Sequence, residues 1–255
     1  MCLALVALNA HPRFPLVIAA NRDEFHARAA RPAHWWEDGT LAGVDLAAGG
    51  TWFGVNTRGR WALVTNFREG FPRDPKAPSR GGLVTRALSE PAPPLVCAAA
   101  IAADGVRYHG FNLLVGDVAS CAYASNRASG ALALGRGIHG LSNHLLDTPW
   151  PKLTRSKARF AACLAAADNG VEPLFELLAD RTQAEATALP VTGIAPEWER
   201  LLSSAFIVDP RYGTRCSTVL TIADDGSARF VERSFAPEGR LTGESAHEFS
   251  VRGRG

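Results

Sequence analysis

Apolar and polar positions along the chain fall into blocks. An almost unbroken apolar run over residues 1–8 is closed by Asn9, and a second run covers residues 15–20, with the turn-like His11-Pro12-Arg13 between them. Short apolar runs bounded by turn residues predict buried strands, and a hairpin centred near His11 places Cys2 opposite Asn21 or Arg22. The polar quartet Asn21-Arg22-Asp23-Glu24 then closes the second strand beside the beginning of the first.

Farther along, residues 25–36 follow no clean period and read as a loop over the sheet edge; Trp35-Trp36 reads as a packing feature, with a pocket wall as the alternative. Gly43-Val44-Asp45 and Gly49-Gly50 mark a turn-rich stretch. Residues 51–56 and 60–67 predict a hairpin turning at Thr57-Arg58-Gly59, whose far end delivers Asn66. After an exposed loop over residues 71–79, Ser79 can cap a helix running to Leu88, and Pro91-Ala92-Pro93-Pro94 separates it from a second helix over 95–103. Residues 111–117 and 121–125 alternate as a third hairpin, and 137–143 extends to end on Asn143.

Pro149-Trp150-Pro151 opens a helix through Ala167, with Leu153, Phe160, Cys163 and Leu164 on its apolar face. Lys152, Arg155, Lys157 and Arg159 read as its solvated basic face. A shorter helix over 171–179, a loop with weak helical pieces over 181–199 and strands over 204–208, 214–222 and 228–234 follow, and the tail from about residue 236 reads as frayed and flexible. The order strands, helices, strands, helices, strands favours α+β or layered sheets over alternating βαβ units.

Composition narrows the partners. The 255 residues contain no linker and are long enough to bury a sizeable core. A formal charge of +2, on 20% charged residues of mixed sign, leaves no basic stripe for a phosphate backbone, so nucleic acid is not an expected partner. No apolar run approaches the roughly 18–20 residues of a membrane span, and the opening run lacks a basic flank; a soluble cytoplasmic protein is the expectation. Five cysteines, at 2, 97, 121, 163 and 216, are odd in number and without C-x-x-C spacing, which argues against a disulfide scaffold and a zinc site. His26 and His34 are isolated and H-E-x-x-H does not occur, so no metal and no cofactor required for catalysis is implied. Oligomeric state stays open.

Cys2 gains chemical meaning from its position. Cysteine is small enough to permit removal of Met1, which would leave one residue with both a thiol and a free α-amine. An α-amine of pKa about 7.7–8 can take the proton of a thiol of pKa about 8.5, uniting nucleophile and base, and a cation at Arg22 would favour the thiolate. The competing reading is a small buried apolar residue, as free cysteines commonly are, and that reading suits Cys97, Cys121, Cys163 and Cys216.

Met1-Cys2, Asn21-Arg22-Asp23-Glu24, Gly50-Thr51-Trp52, Thr65-Asn66-Phe67-Arg68, Leu141-Ser142-Asn143 and Asp147-Thr148-Pro149-Trp150-Pro151-Lys152 occur in that order. With these motifs the chain resembles the NRDE family, also called the transport-and-Golgi-organisation family, over nearly its whole length. That family is in turn similar to N-terminal-nucleophile hydrolases of the choloylglycine type: bile salt hydrolases, penicillin V acylases and acid ceramidase relatives. The resemblance implies an α+β fold, a four-layer αββα sandwich of two stacked antiparallel sheets between helix layers, formed as one domain over 1–255. It implies Cys2 as nucleophile at the end of a central strand, Asn21 and Asp23 beside it with Asp23 orienting the amine, and Asn66 and Asn143 as oxyanion donors. Choloylglycine enzymes carry Arg-Asn-x-Asp, whereas here Ala20 holds the Arg position. Arg22 points in a strand to the face opposite Asn21 and Asp23, so it cannot simply inherit that role. Arg215, in Thr214-Arg215-Cys216-Ser217-Thr218, is a further candidate active-site arginine.

Two functions follow from the resemblance. One is hydrolysis of a small amide or thioester. The other, since the family is associated with haem handling and with lipid or acyl-CoA homeostasis, is non-catalytic binding and trafficking of haem or a lipid or acyl ligand. Haem would then be a non-covalent ligand, because C-x-x-C-H is absent.

Overall fold

The computed structural model describes residues 2–70, 74, 76–166 and 170–251. Met1, most of the start of the 71–79 loop, and the expected helix end at Ala167 lie outside the described residues. The chain opens on the hairpin that its apolar runs predict: β1 (Cys2–Leu8) and β2 (Leu16–Phe25) pair antiparallel, with Cys2 opposite Arg22 and Val6 opposite Ile18. The second strand outlasts its apolar run because Asn21, Arg22 and Asp23 are themselves buried and stay in the ladder.

Residues read as loop and turn form β3 (Ala30–Trp35) and β4 (Thr40–Asp45) instead. A register shift between Arg31 and His34 breaks the alternation of β3, which is why its period is illegible in the sequence. Neither tryptophan of the Trp35-Trp36 pair lines the cleft beside Cys2: Trp35 meets Phe249 edge-on, and Trp36 Nε1 donates to the Ala42 carbonyl. β5 (Phe53–Asn56) and β6 (Trp61–Asn66) form the expected hairpin; its turn uses Gly59 at a φ of 76° and Asn56 Oδ1, which accepts the backbone N–H groups of Arg58 and Arg60.

α1 (Gly81–Ser89) and α2 (Pro94–Ala103) come next, followed by β7 (Phe111–Gly116), β8 (Cys121–Ser125), β9 (Ala131–Leu134) and β10 (Gly137–Leu141). α3 (Pro151–Ala165), α4 (Glu172–Leu178) and α5 (Pro196–Leu201) lead to β11 (Tyr212–Ile222), β12 (Ser227–Phe235) and β13 (Leu241–Ser250). Two expectations fail here. Residues 205–208 are apolar and, with Ser204, largely buried without joining a sheet; the N–H of Phe206 donates to the Asp180 carbonyl and that of Ile207 to Thr214 Oγ1. The segment read as a frayed tail pairs along β12 as β13, with exposed polar side chains alternating on an edge strand.

The first sheet runs β10-β1-β2-β11-β12-β13 and the second β3-β4-β5-β6-β7-β8-β9, both antiparallel throughout. Strand alternation assigns each face to a layer. Ala4, Val6, Ile18, Leu220 and Phe230 meet Phe53, Val55, Trp61 and Leu114 between the sheets. Leu3, Leu5, Val17 and Val219 face outward onto Phe160, Phe175 and Leu178 of α3 and α4. Ala62, Leu113 and Ala122 face outward from the second sheet onto Leu83, Val84 and Ile101 of α1 and α2. The architecture is therefore the four-layer αββα sandwich.

Candidate active site

Cys2 begins β1, and strand register sets its neighbours. Arg22 lies opposite it on β2, and Cys216 lies opposite Arg22 on β11, so these three side chains share one row on the face turned toward the second sheet. Asn21 and Asp23 take the opposite face, toward the helices. The alternation that seemed to disqualify Arg22 is what places it with Cys2.

Arg22 is 6% exposed. Its guanidinium lies 4.3 Å from the centroid of the Trp52 ring, and its Nη2 stands 3.8 Å from Asp45 Oδ2. Asp45 also receives Arg28 Nε at 2.7 Å. The indole fits because residue 43 is glycine: a Cβ there would overlap Cη2 and Cζ2 of Trp52. A cleft of about 320 Å³ opens beside this cluster, lined by Cys2, Arg22, Asp23, Trp52 and Asn66, with a rim formed by Arg80, Gly81 and His109.

Asn66 ends β6 and is half-buried at the cleft wall. Asn143 does not share that wall. It is fully buried, and its Nδ2 donates to the Asn66 carbonyl at 2.9 Å while its own carbonyl accepts the N–H of Arg68. Together with the Ser142 carbonyl, which accepts Thr65 Oγ1 at 2.7 Å, this ties the end of the first sheet's edge strand to the second sheet and fixes Asn66 near Cys2. The expected oxyanion donor is thus a support for the other one.

Asn21 likewise acts away from the cleft. Its Nδ2 donates to the carbonyls of Leu178 and Ala205 at 2.9 and 2.8 Å, and its Oδ1 accepts Ser217 Oγ at 2.6 Å, which anchors β2 to the helix layer. Arg215 sits where β11 slips register between Thr214 and Cys216; the bulge turns its guanidinium out to the carbonyls of Phe25, His26 and Arg28, and it does not line the cleft. It straps the β2–β3 connection.

Asp23 is 2% exposed, and its Oδ1 accepts Thr214 Oγ1 at 2.7 Å. Burial pushes its carboxyl above the usual range, while the positive charge of the chain's amino terminus, then that of Lys152, the Thr214 bond and Arg22 pull it back. Lys152, read from the sequence as part of a solvated basic face, is 1% exposed. Burial lowers it to about 8, against the attraction of Asp23, and its Nζ has no hydrogen-bond partner among the described residues. Arg68, which opposes the charge on Lys152, pairs with Glu199 of α5 and stacks 4.5 Å from the Trp150 ring centroid.

Sequence reasoning missed Lys152, Trp52, Arg28 and Asp45 as members of this neighbourhood. Lys152 had a signal: it lies on the i, i+4 row that continues through Ser156, Phe160 and Leu164, all buried. Arg28 and Asp45 had none, because β3 and β4 were not recognised and with them the turn that carries Arg28. Among the described residues no group of three or more His, Cys, Asp or Glu side chains could hold a metal ion.

A cysteine at the start of an inner strand of an αββα sandwich, opening on a cleft between the two sheets, defines an N-terminal-nucleophile hydrolase-like fold. The fold is similar to that of a Caenorhabditis elegans N-acylethanolamine-hydrolyzing acid amidase ortholog, with a TM-score of 0.50 over 86% of this chain and 92% of that one at 10% identity. By sequence, the chain belongs to the Transport and Golgi organisation 2 family, whose pattern it matches over residues 1–237. It is 34% identical over 281 residues to the Transport and Golgi organization protein 2 homolog of Bos taurus, covering 98% of this chain and 99% of that protein. The Homo sapiens homolog is 33% identical over 258 residues, 92% of this chain and 93% of that protein.

Proposed function

We propose that this chain is a cysteine N-terminal-nucleophile hydrolase for a small amide or thioester, with Cys2 as nucleophile once Met1 is removed. The observation that carries the reading is the row Cys2–Arg22 at the mouth of the cleft that also exposes Asn66. The Cys2 sulfur attacks the substrate carbonyl and passes its proton to the α-amine. Asn66 donates to the oxyanion of the tetrahedral intermediate, a contribution of about 10²–10³ in rate for one such donor. Collapse breaks the bond to the leaving amine or thiol, which takes the proton from the α-ammonium. Water, deprotonated by the same amine, then attacks the acyl-thioester and releases the acid, restoring the thiol.

A cleft of about 320 Å³ suits a small substrate. Its lining weighs against the rival reading of a non-catalytic carrier of haem or an acyl ligand, since Arg22, Glu24, Arg28, Asp45 and Arg80 all face it. The test is a screen of amides and thioesters with wild type and Cys2→Ala, after intact-mass verification that Met1 is lost. Turnover that disappears in folded Cys2→Ala supports the hydrolase; turnover unchanged in that variant rules the mechanism out. A shifted haem absorbance band at stoichiometric protein, with no turnover, favours the carrier.

A further inference from the structure

Lys152 is a buried ammonium for which the hydrolytic cycle above has no use. A lysine taken out of water without a bonded partner is strongly unfavourable, and replacing it by an apolar side chain of similar volume would relieve that cost. Its place in the fold supplies a reason for it. Lys152 stands in the first turn of α3, which packs over β1 and β10 on the helix side of the first sheet. From β2, Asp23 faces that same side. The pair register puts Arg22 opposite Cys2, so Asp23 stands one row farther on, in the direction in which the Cys2 nitrogen leaves the strand.

The charged and titratable groups around Lys152 come from β1, β2, β11 and α5 and from the segment just past β6. Asp23 on β2 and Cys2 on β1 favour its charged form, and Arg68, just past β6, opposes it. Arg68 is itself held by Glu199 of α5. From β11, the Tyr212 hydroxyl donates to the Asp23 backbone carbonyl at 2.9 Å and Thr214 to its carboxylate. Arg22 reaches Asp23 electrostatically from the other face of β2. In this set Asp23 is the carboxylate that acts on Lys152.

We infer that Lys152 is a positioning residue for the nucleophile: from the helix side of β2 its ammonium keeps Asp23 a carboxylate, and Asp23 in turn holds the α-amine of Cys2 in place to take the thiol proton. This rests on the reading of Cys2 as the nucleophile and adds to it a second buried charge that never touches substrate. No proton leaves Lys152 during the cycle. Its contribution ends when it is neutralised, by alkali or by mutation, because the buried Asp23 carboxylate then loses the positive charge that offsets its burial and no longer holds the amine in place.

The experiment uses the full chain with Met1 loss verified by mass. The rate of iodoacetamide alkylation at Cys2, located by peptide mapping and divided by the rate for free cysteine, is followed from about pH 6 to about pH 10. Wild type is expected to lose relative rate with a midpoint near pH 8, where Lys152 gives up its proton. Lys152→Met is expected to be on the order of tenfold slower at neutral pH and to lack that fall. Lys152→Arg, which keeps the charge, is expected to restore the neutral rate and to show no fall near pH 8. A folded Lys152→Met protein with the wild-type profile overturns the inference. Should Lys152→Met not fold by circular dichroism, Asp23→Asn decides: loss of both rate and fall supports the inference, and a wild-type profile overturns it. A wild-type Cys2 no faster than free cysteine at any pH removes the nucleophile reading and this inference together, whereas a fast wild-type Cys2 with an unaltered variant removes the inference alone.

Discussion

The side-chain amide of Asn143 donates to the backbone carbonyl of Asn66 across 2.9 Å, so a residue buried at the end of the first sheet's edge strand sets where the second sheet presents its asparagine. The two asparagines should separate in measurement. Asn143→Ala leaves a carbonyl unpaired and is expected to cost about 1–3 kcal/mol in urea unfolding, with a secondary fall in turnover. Asn66→Ala is expected to lower kcat by about 10²–10³ while unfolding like wild type.

Lys152 gives a stability signature against pH. In the folded protein it titrates near 8 instead of the usual 10.5, because burial disfavours the ammonium. Between those values the unfolded chain holds a proton that the folded chain has released, so stability rises with pH across the window, and below it the lysine destabilises the fold by roughly 3 kcal/mol. Lys152→Met is therefore expected to be more stable than wild type at neutral pH by up to that amount, with the gap closing toward pH 10.5. Urea midpoints at the two ends of the window check the sign.

Arg68 and Glu199 are each 4% exposed at the side chain and form a buried ion pair beneath Trp150. Removing only the carboxylate takes away the negative charge that offsets the buried guanidinium, so Glu199→Ala is expected to cost about 3–5 kcal/mol. Replacing both with apolar residues of similar volume is expected to cost far less than the sum of the single changes. A double-mutant cycle by thermal or chemical unfolding reads the difference directly.

Gly43 exists for the Trp52 ring. A methyl group there displaces the indole on which Arg22 rests, and Gly43→Ala is expected to destabilise the fold by about 1–3 kcal/mol, shift tryptophan fluorescence and slow Cys2 alkylation. Gly82→Ala provides the contrast. Nothing lies within 4 Å of the added Cβ in α1, so that variant is expected to gain about 0.5–1 kcal/mol and leave Cys2 unchanged.

The hairpin that carries Cys2 and Arg22 was legible because two apolar runs and one turn bring Cys2 opposite Asn21 or Arg22, and the ladder itself decides for Arg22. What alternation could not reveal was which face of that hairpin holds the cleft, and so Asn21, a support toward the helices, looked like a site residue. β3 and β4 were hidden by a bulge and by Gly43, which serves close packing against Trp52 and not a turn. Lys152 was misread because charge ordinarily marks the wet side of a helix, and here the buried row includes a cation. Arg215 resembled a catalytic arginine in sequence, but an extra residue in its strand aims it elsewhere.

Arg22 also acts as a spacer. With Cys2 on one side of it and Cys216 on the other, the two cysteines occupy strands separated by two inter-strand steps, roughly 9–10 Å between Cα atoms. A disulfide requires about 4.4–6.8 Å. An oxidant entering the cleft therefore meets a sulfur that Cys216 cannot trap in an internal bridge. A sulfenic acid formed at Cys2 would instead condense with a small thiol from solution, releasing water, and a second thiol would displace that cap and return the free Cys2 thiol.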